Sequence, residues 1–460
     1  MGPCFFGQII GLACSAAVHG TCLTGRENER RASKMKYSMD TYKFYSSEKN
    51  FSAVIRTKVR MKEDVDIDVL RHSVNTAIKR YPYFSREVVL GEDGGYDLIP
   101  NTREVAVIPT TGSLPLLCSD EVNRHLLFVD CEGRDIYFNV SHVICGGKGS
   151  LPWIMTNVYQ YVVEKYNVLP DAPGIRKVGS PLLEGEDTEP SMDLLSDEEP
   201  IYEHKSKKPV IMAMDYLNGM YNPFLRHPIY YVFSFEQKDI VRFIRNNDSS
   251  VAAFFLTVMA RALDRILPEK YQYIGGEISH NPCADIGLPN AHVDLLTSVN
   301  IDYDRNLLKG DMERLGTITR SQIMLQTDPS VVHSQLRKIF ILREEVDQIR
   351  GLKNKIAAYA QKDPSKGKDA EHGTFISNYS GYKDWGEVAD YVEYFVLIVD
   401  GHLVLEVSSL GDKIFVSFMQ LIREKRYVDS FSQVLRELKI PYTIEGPYSK
   451  NLTKHKLPKQ

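Results

Sequence analysis

The sequence predicts a mixed α/β protein folded as two lobes. Three observations lead there. The length of 460 residues exceeds what one hydrophobic core usually holds. Strand-like and helix-like periodicities alternate through the first half and recur in the second. Between the halves lies an acidic stretch, then a basic one, almost free of aliphatic periodicity. The composition, 43% hydrophobic and 25% charged, is that of a globular chain with ample material for a core. A formal net charge of −4 and a pI near 6.3 provide no basic footprint for nucleic acid, which leaves small molecules or proteins as partners.

The elements follow in order. Residues 1–35 combine an apolar run, interrupted by Gln8 and His19, with the charged spacer "RENERRASK". No Lys or Arg precedes the run and it is too short and polar to span a bilayer, so these residues are expected to be an extension, with Met35 or Met39 as an alternative start and folding beginning near residue 36. "FSAVIRTKVRM" (51–61) has the β-branched content of a strand, and "DIDVLRHSVNTAIKRYPYF" (66–84) places Val69, Leu70, Val74 and Ile78 at helical spacing, ending at Pro82. "SREVV" and "YDLI" flank the turn "GEDGG" as a hairpin. "DIYFNVSH" (135–142) alternates Ile136, Phe138 and Val140 with Tyr137 and Asn139, so His142 shares the apolar parity if the strand stays regular. Leu151, Ile154, Met155, Val158, Tyr161 and Val162 then mark one face of a helix, with Pro152 in its first turn.

The first lobe is thus expected over 36–183, an acidic linker over 184–208 and the second lobe over 209–460. In that second half "IYYVFSFE" (229–236) reads as a strand, "SSVAAFFLTVMARALDRILP" (249–268) as an apolar helix capped by Asp248 or Ser249, and "VDLLTSVNIDY" (293–303) as a strand. One long helix is expected over 334–361, antiparallel strands around Asp400-Gly401 within 394–422, and a last helix near 424–438. The seven cysteines show no CxxC pair and no zinc spacing, which predicts reduced thiols, no disulfides, no metal site and a cytoplasmic protein.

The chemistry concentrates in "NVSHVICGGKGS" (139–150), where a lone histidine stands between an apolar strand and a glycine run. A phosphate loop would need a glycine and a Gly-Lys separated by four residues, with Ser or Thr after the lysine; here those positions hold His142 and Gly149. The glycines are read instead as a sharp strand-to-helix turn. A neutral imidazole at such a junction is suited to act as a general base, against the plainer possibility of a hydrogen-bonded core histidine. Cys145 is not read as the nucleophile, because strand neighbours point to opposite faces.

On these residues the chain resembles the acyl-thioester-dependent acyltransferases related to chloramphenicol acetyltransferase, a superfamily that includes condensation domains and bacterial alcohol acetyltransferase-like proteins. "SHVICGG" (141–147) is similar to their signature HHxxxDG, with His142 at its second histidine and Gly147 at its last glycine. "AIKRYPYFSREV" (77–88), "DSSVAAFFLTVMARAL" (248–263), "TSVN" (297–300) and "ISNYSGY" (376–382) resemble further family segments in the family's order, over most of residues 40–440. The resemblance implies two chloramphenicol acetyltransferase-like lobes with a tunnel between them. It implies acyl transfer from a thioester, an acyl-CoA co-substrate or a carrier-protein-bound donor, to a hydroxyl or amine, with His142 as base and no permanently bound cofactor. Ser298 and Asn300 are the candidates for meeting the oxyanion. The chain departs from the signature at Ser141, in place of the first histidine, and at Gly146, in place of the aspartate that pairs with an arginine to hold the histidine loop. An active protein must order that loop by other means, expected to be packing of Val143 and Trp153 and backbone hydrogen bonds through the glycine turn. A catalytically silent binding or scaffold protein is the alternative.

Overall fold

A computed structural model describes residues 43–46, 52–205, 227–269, 271–362, 374–381, 383–401 and 403–458. The expectations for residues 1–35 and for a start at Met35 or Met39 lie outside them. The described residues belong to one compact unit, Tyr37–Gln460.

The first half runs α1 (Lys43–Ser46), β1 (Val54–Met61), α2 (Ile67–Ala77), β2 (Arg86–Leu90), β3 (Tyr96–Pro100), β4 (Val107–Pro109), β5 (Leu127–Glu132), β6 (Asp135–Ser141) and α3 (Gly147–Tyr166). Helix α2 starts where Asp66 accepts from the backbone N–H groups of Asp68 and Val69, and Leu70 and Val74 face inward. Past Ala77 the chain tightens into 3-10 turns around Pro82, so the α-helix ends earlier than its apolar spacing indicates. The expected hairpin forms from β2 and β3.

The second half runs β7 (Ile229–Glu236), α4 (Gln237–Asn246), α5 (Val251–Asp264), β8 (Tyr273–His280), β9 (Thr297–Asp304), α6 (Arg305–Leu308), α7 (Met312–Gln326), α8 (Pro329–Asp347), α9 (Leu352–Lys362), β10 (Phe375–Tyr379), β11 (Val392–Ile398), β12 (Val404–Leu410), β13 (Lys413–Gln420), α10 (Arg426–Glu437) and β14 (Thr443–Ser449). The cap of α5 is Ser250, whose hydroxyl accepts from the Ala253 N–H, rather than Asp248 or Ser249. The helix expected over 334–361 is two helices. Gly351 at φ +87° breaks it, a backbone conformation that other residues adopt only with strain.

Two large sheets carry the α/β plan, in the orders β11-β1-β6-β5-β4 and β14-β7-β13-β12-β10-β8-β9. The sequence expectation fails at Asp400-Gly401, which joins strands of different sheets and closes no hairpin: β11 pairs with β1 in the first sheet, while β12 pairs with β13 and β10 in the second. One strand from the second half therefore completes the first half's sheet. Ser408 and Ser417 donate their hydroxyls to the carbonyls of Phe395 and Leu397 on that strand, at 2.7 and 2.5 Å, fastening the second sheet to the first.

The acidic stretch 184–208 is described as far as residue 205, and its start is packed. Glu186 is fully buried between Arg80 (2.9 Å), Arg176 (3.2 Å) and the Tyr83 hydroxyl (2.6 Å), which hold its carboxyl down at about 2 despite burial. Met192, Leu194 and Leu195 pack against a small apolar cluster around Val293, Leu295 and Leu336. Charge composition alone reads as a solvated linker. It cannot show that one of its carboxylates meets two guanidinium groups.

Candidate active site

Strand β6 delivers His142. Ile136, Phe138 and Val140 are buried as the alternation requires, but Asn139 is buried too, accepting from Arg56, whose guanidinium also pairs with Asp130 at 2.7 Å. The strand stops at Ser141, and His142 enters a turn, so its side chain is not governed by strand parity. The turn is held from several sides. His142 N–H donates to Ala53 O at 2.9 Å, Val143 N–H to Ser141 Oγ at 3.1 Å, Ile144 N–H to Ser141 O at 3.2 Å and Ser150 N–H to Gly146 O at 3.0 Å. Val143, Cys145 and Trp153 are fully buried beneath it. Pro152 falls in the second turn of α3 and not the first, because the helix starts at Gly147.

The glycines have a steric task. A Cβ on Gly149 would lie 1.9 Å from the carbonyl oxygen of His292, and one on Gly146 would lie 2.8 Å from Asp294 Oδ1. The first turn of α3 thus lies directly against residues 292–294, the segment leading into β9. That approach brings Asp294 to the histidine: Asp294 Oδ2 is 3.0 Å from His142 Nδ1, and Lys43 on α1 pairs with the same oxygen. Asp294 is almost completely buried, whereas 24% of the His142 side chain is exposed.

A carboxylate already paired with an ammonium group accepts from an imidazole N–H, so Nδ1 carries the proton and Nε2 is left as the basic nitrogen. Burial first, then the positive charge of Lys43 and repulsion from His455 once that ring is itself protonated at low pH, hold the His142 imidazolium down to about 3, so the ring is neutral at ordinary pH. His455 comes from beyond β14, with Nε2 2.7 Å from Ser141 Oγ and its ring edge-on to Phe44 at 5.3 Å. Burial holds it neutral as well, down to about 4.

Of the residues read from sequence, the structure joins Ser141, His142, Gly146 and Gly147 into one loop, with the Leu397 side chain against Gly147. Ser298 and Asn300 lie on β9, where the Ser298 hydroxyl donates to Glu277 Oε1 at 3.0 Å and the backbone edge is bonded by Gln335 and Gln326. The contact from this part of the chain to His142 is made by Asp294, a few residues earlier. Sequence reasoning missed Asp294, Lys43 and His455. A signal existed only for Asp294, a carboxylate inside the apolar run "HVDLLTSV". Arg80, within the arginine-bearing stretch before the signature, is engaged by Glu186. Among the described residues no His/Cys/Asp/Glu group is arranged to hold a metal, Cys118, Cys131, Cys145 and Cys283 form no disulfide, and no helix is long and apolar enough to cross a membrane.

The fold is the two-lobed chloramphenicol acetyltransferase-like fold. The first condensation domain of the CDA synthetase aligns over 88% of this chain and 95% of its own, with a TM-score of 0.55 at 11% identity. Polyketide synthase associated protein 5 from Mycobacterium tuberculosis aligns over 87% and 96%, with a TM-score of 0.54 at 12% identity. TRI101 of F. graminearum, solved with coenzyme A and T-2 mycotoxin, aligns over 89% and 99%, with a TM-score of 0.54 at 11% identity. No protein-family model and no curated protein matches this chain.

Proposed function

We propose that this chain is a cytoplasmic acyltransferase that moves an acyl group from a thioester, with acyl-CoA as donor, to a hydroxyl or amine on a small molecule. The observation that carries the reading is the pairing of His142 Nδ1 with buried Asp294, which leaves Nε2 as the base of a partly exposed imidazole at a strand-to-helix junction. His142 Nε2 takes the proton from the acceptor O–H or N–H as that atom attacks the thioester carbon. Asp294 stabilises the imidazolium formed in this step. The resulting oxyanion is met by Asn300, or by Ser298 once its hydroxyl leaves Glu277. The C–S bond then breaks, and the leaving thiolate takes the proton back from Nε2, giving ester or amide and free thiol. Donor and acceptor enter a tunnel between the lobes from opposite sides. Coenzyme A bound to TRI101 supports this donor, and the similarity to a condensation domain supports a carrier-protein thioester as the second reading.

The test is thiol release from a panel of acyl-CoA and carrier-bound donors with alcohol and amine acceptors. His142→Ala should lower turnover by about 10²- to 10⁴-fold, the usual worth of a positioned base. Transfer that survives His142→Ala would remove the histidine from the mechanism. No transfer by the wild type from any donor would make the chain a binding protein.

A further inference from the structure

The chain beyond β14 is still tied to the second half at Lys450 and from Thr453 on is bonded to the first half on both sides of His455. Lys450 donates its backbone N–H to Pro228 O at 2.9 Å and its ammonium to Gly401 O at 2.8 Å. Ser52 donates its hydroxyl to Thr453 O, and Thr453 donates its own to Pro115 O. Leu117 N–H donates to Lys454 O and Lys456 N–H to Leu117 O, both at 2.9 Å, forming a parallel bridge across His455. Bonds placed so close on each side fix where the imidazole points.

That imidazole touches both supports of His142. Ser141 Oγ already accepts the Val143 N–H that closes the turn, so its own hydrogen is available to His455 Nε2 at 2.7 Å. On its other side the ring meets Phe44, the neighbour of Lys43, whose ammonium pairs with Asp294. We propose that His455 is a positioning residue for His142, holding Ser141 on one side and the Lys43 helix on the other, so that residues 450–456 are part of the site. The signature's missing first histidine is thereby compensated by an imidazole from the far end of the chain. The titratable group that interacts electrostatically with His455 is His142, which Asp294 in turn connects to Lys43 on α1. Removing the ring opens a void beside Ser141, admits water and frees the hydroxyl, which lets His142 turn and recover solvation.

The proposal rests on the acyl-transfer reading for its kinetic readout alone. The experiment follows the His142 titration by NMR of full-length protein carrying ring-labelled histidine, with the signal assigned through His142→Gln, alongside thiol release. In His455→Ala the His142 midpoint should move up by about one pH unit or more toward the ordinary value near 6.5. Turnover should fall about tenfold with KM for the donor unchanged, since a base displaced by a fraction of an ångström loses rate and not binding. His455→Gln keeps a polar group for Ser141 and should stay near wild type. His455→Phe keeps the ring packing but loses the hydrogen bond and should behave like His455→Ala. An unchanged midpoint in His455→Ala, or full recovery by His455→Phe, overturns the proposal. If the wild type transfers no acyl group, the acyl-transfer reading fails, while the midpoints still decide whether His455 positions His142.

Discussion

Gly146→Asp restores the carboxylate that the HHxxxDG signature carries, and the structure predicts that it harms the protein. Gly146 is the N-cap of α3 at φ −81° and ψ 177°, extended backbone open to any residue, so local preference favours aspartate there by a few tenths of a kcal/mol over glycine. Packing opposes it. The new Cβ would stand 2.8 Å from Asp294 Oδ1, an overpacked contact of the kind that costs about 1–3 kcal/mol. Charge opposes it too: a second carboxylate roughly 4 Å from the first adds repulsion of about 4 kcal/mol at an effective dielectric of 20. Asp294 Oδ1 is buried with no hydrogen-bond partner among the described residues, and Arg80 is bound to Glu186, so neither offers relief at neutral pH. The expected net cost is on the order of 3 kcal/mol or more, with Asp294 displaced from His142. Urea unfolding and thiol release should both register it. Gly146→Ala isolates the steric part, and acidification that protonates one carboxyl should shrink the difference between the two variants. Moving the carboxylate across, with Gly146→Asp and Asp294→Gly together, should recover stability relative to either single variant. A Gly146→Asp protein as stable as wild type, with faster acyl transfer, would refute the placement of Asp294 as the substitute carboxylate.

The neutral histidines around the loop make stability fall on acidification: His142 is held down to about 3, and His292 and His455 to about 4, in each case first by burial. Their folded values lie below the unfolded value near 6.5, so their contribution is complete above 6.5 and is lost as pH falls from there toward 3. With Glu406, whose buried carboxyl titrates near 7, replaced by Gln, unfolding free energy from urea titration should already drop between pH 7 and 5, above the range of ordinary carboxylates; a flat profile there would contradict the burial of these rings. Glu406 acts in the opposite sense. Burial raises its carboxyl to about 7, opposed by the Asn378 amide that donates to it at 2.6 Å, so its contribution is present below the unfolded value near 4.5 and is lost as pH rises through 7. Glu406→Gln should therefore stabilise the protein at pH 8, by on the order of 3 kcal/mol at most, and leave it nearly unchanged at pH 4, as read from unfolding midpoints.

The sequence by itself determined what depends on local pattern. Period-two alternation placed Ile136, Phe138 and Val140 inward on β6, and helical spacing placed Leu151, Ile154 and Val158 inward on α3, so the junction holding His142 was legible before any coordinates. The glycine run was legible as a turn, and the order of weak motifs sufficed to indicate the two-lobed fold. What only the tertiary structure decided depends on contacts between residues far apart in the chain. Strand β11 leaves its sequence neighbours for the first sheet, because a buried strand's apolar run reads the same in either sheet. The carboxylate that meets His142 comes from position 294, the ammonium paired with it from position 43, and the imidazole bonded to Ser141 from position 455. Each of these groups is a single polar residue without periodicity. Its role comes from the burial that makes an unpaired charge costly and from the fold that brings its partner within hydrogen-bond reach, and neither is written in the neighbouring residues.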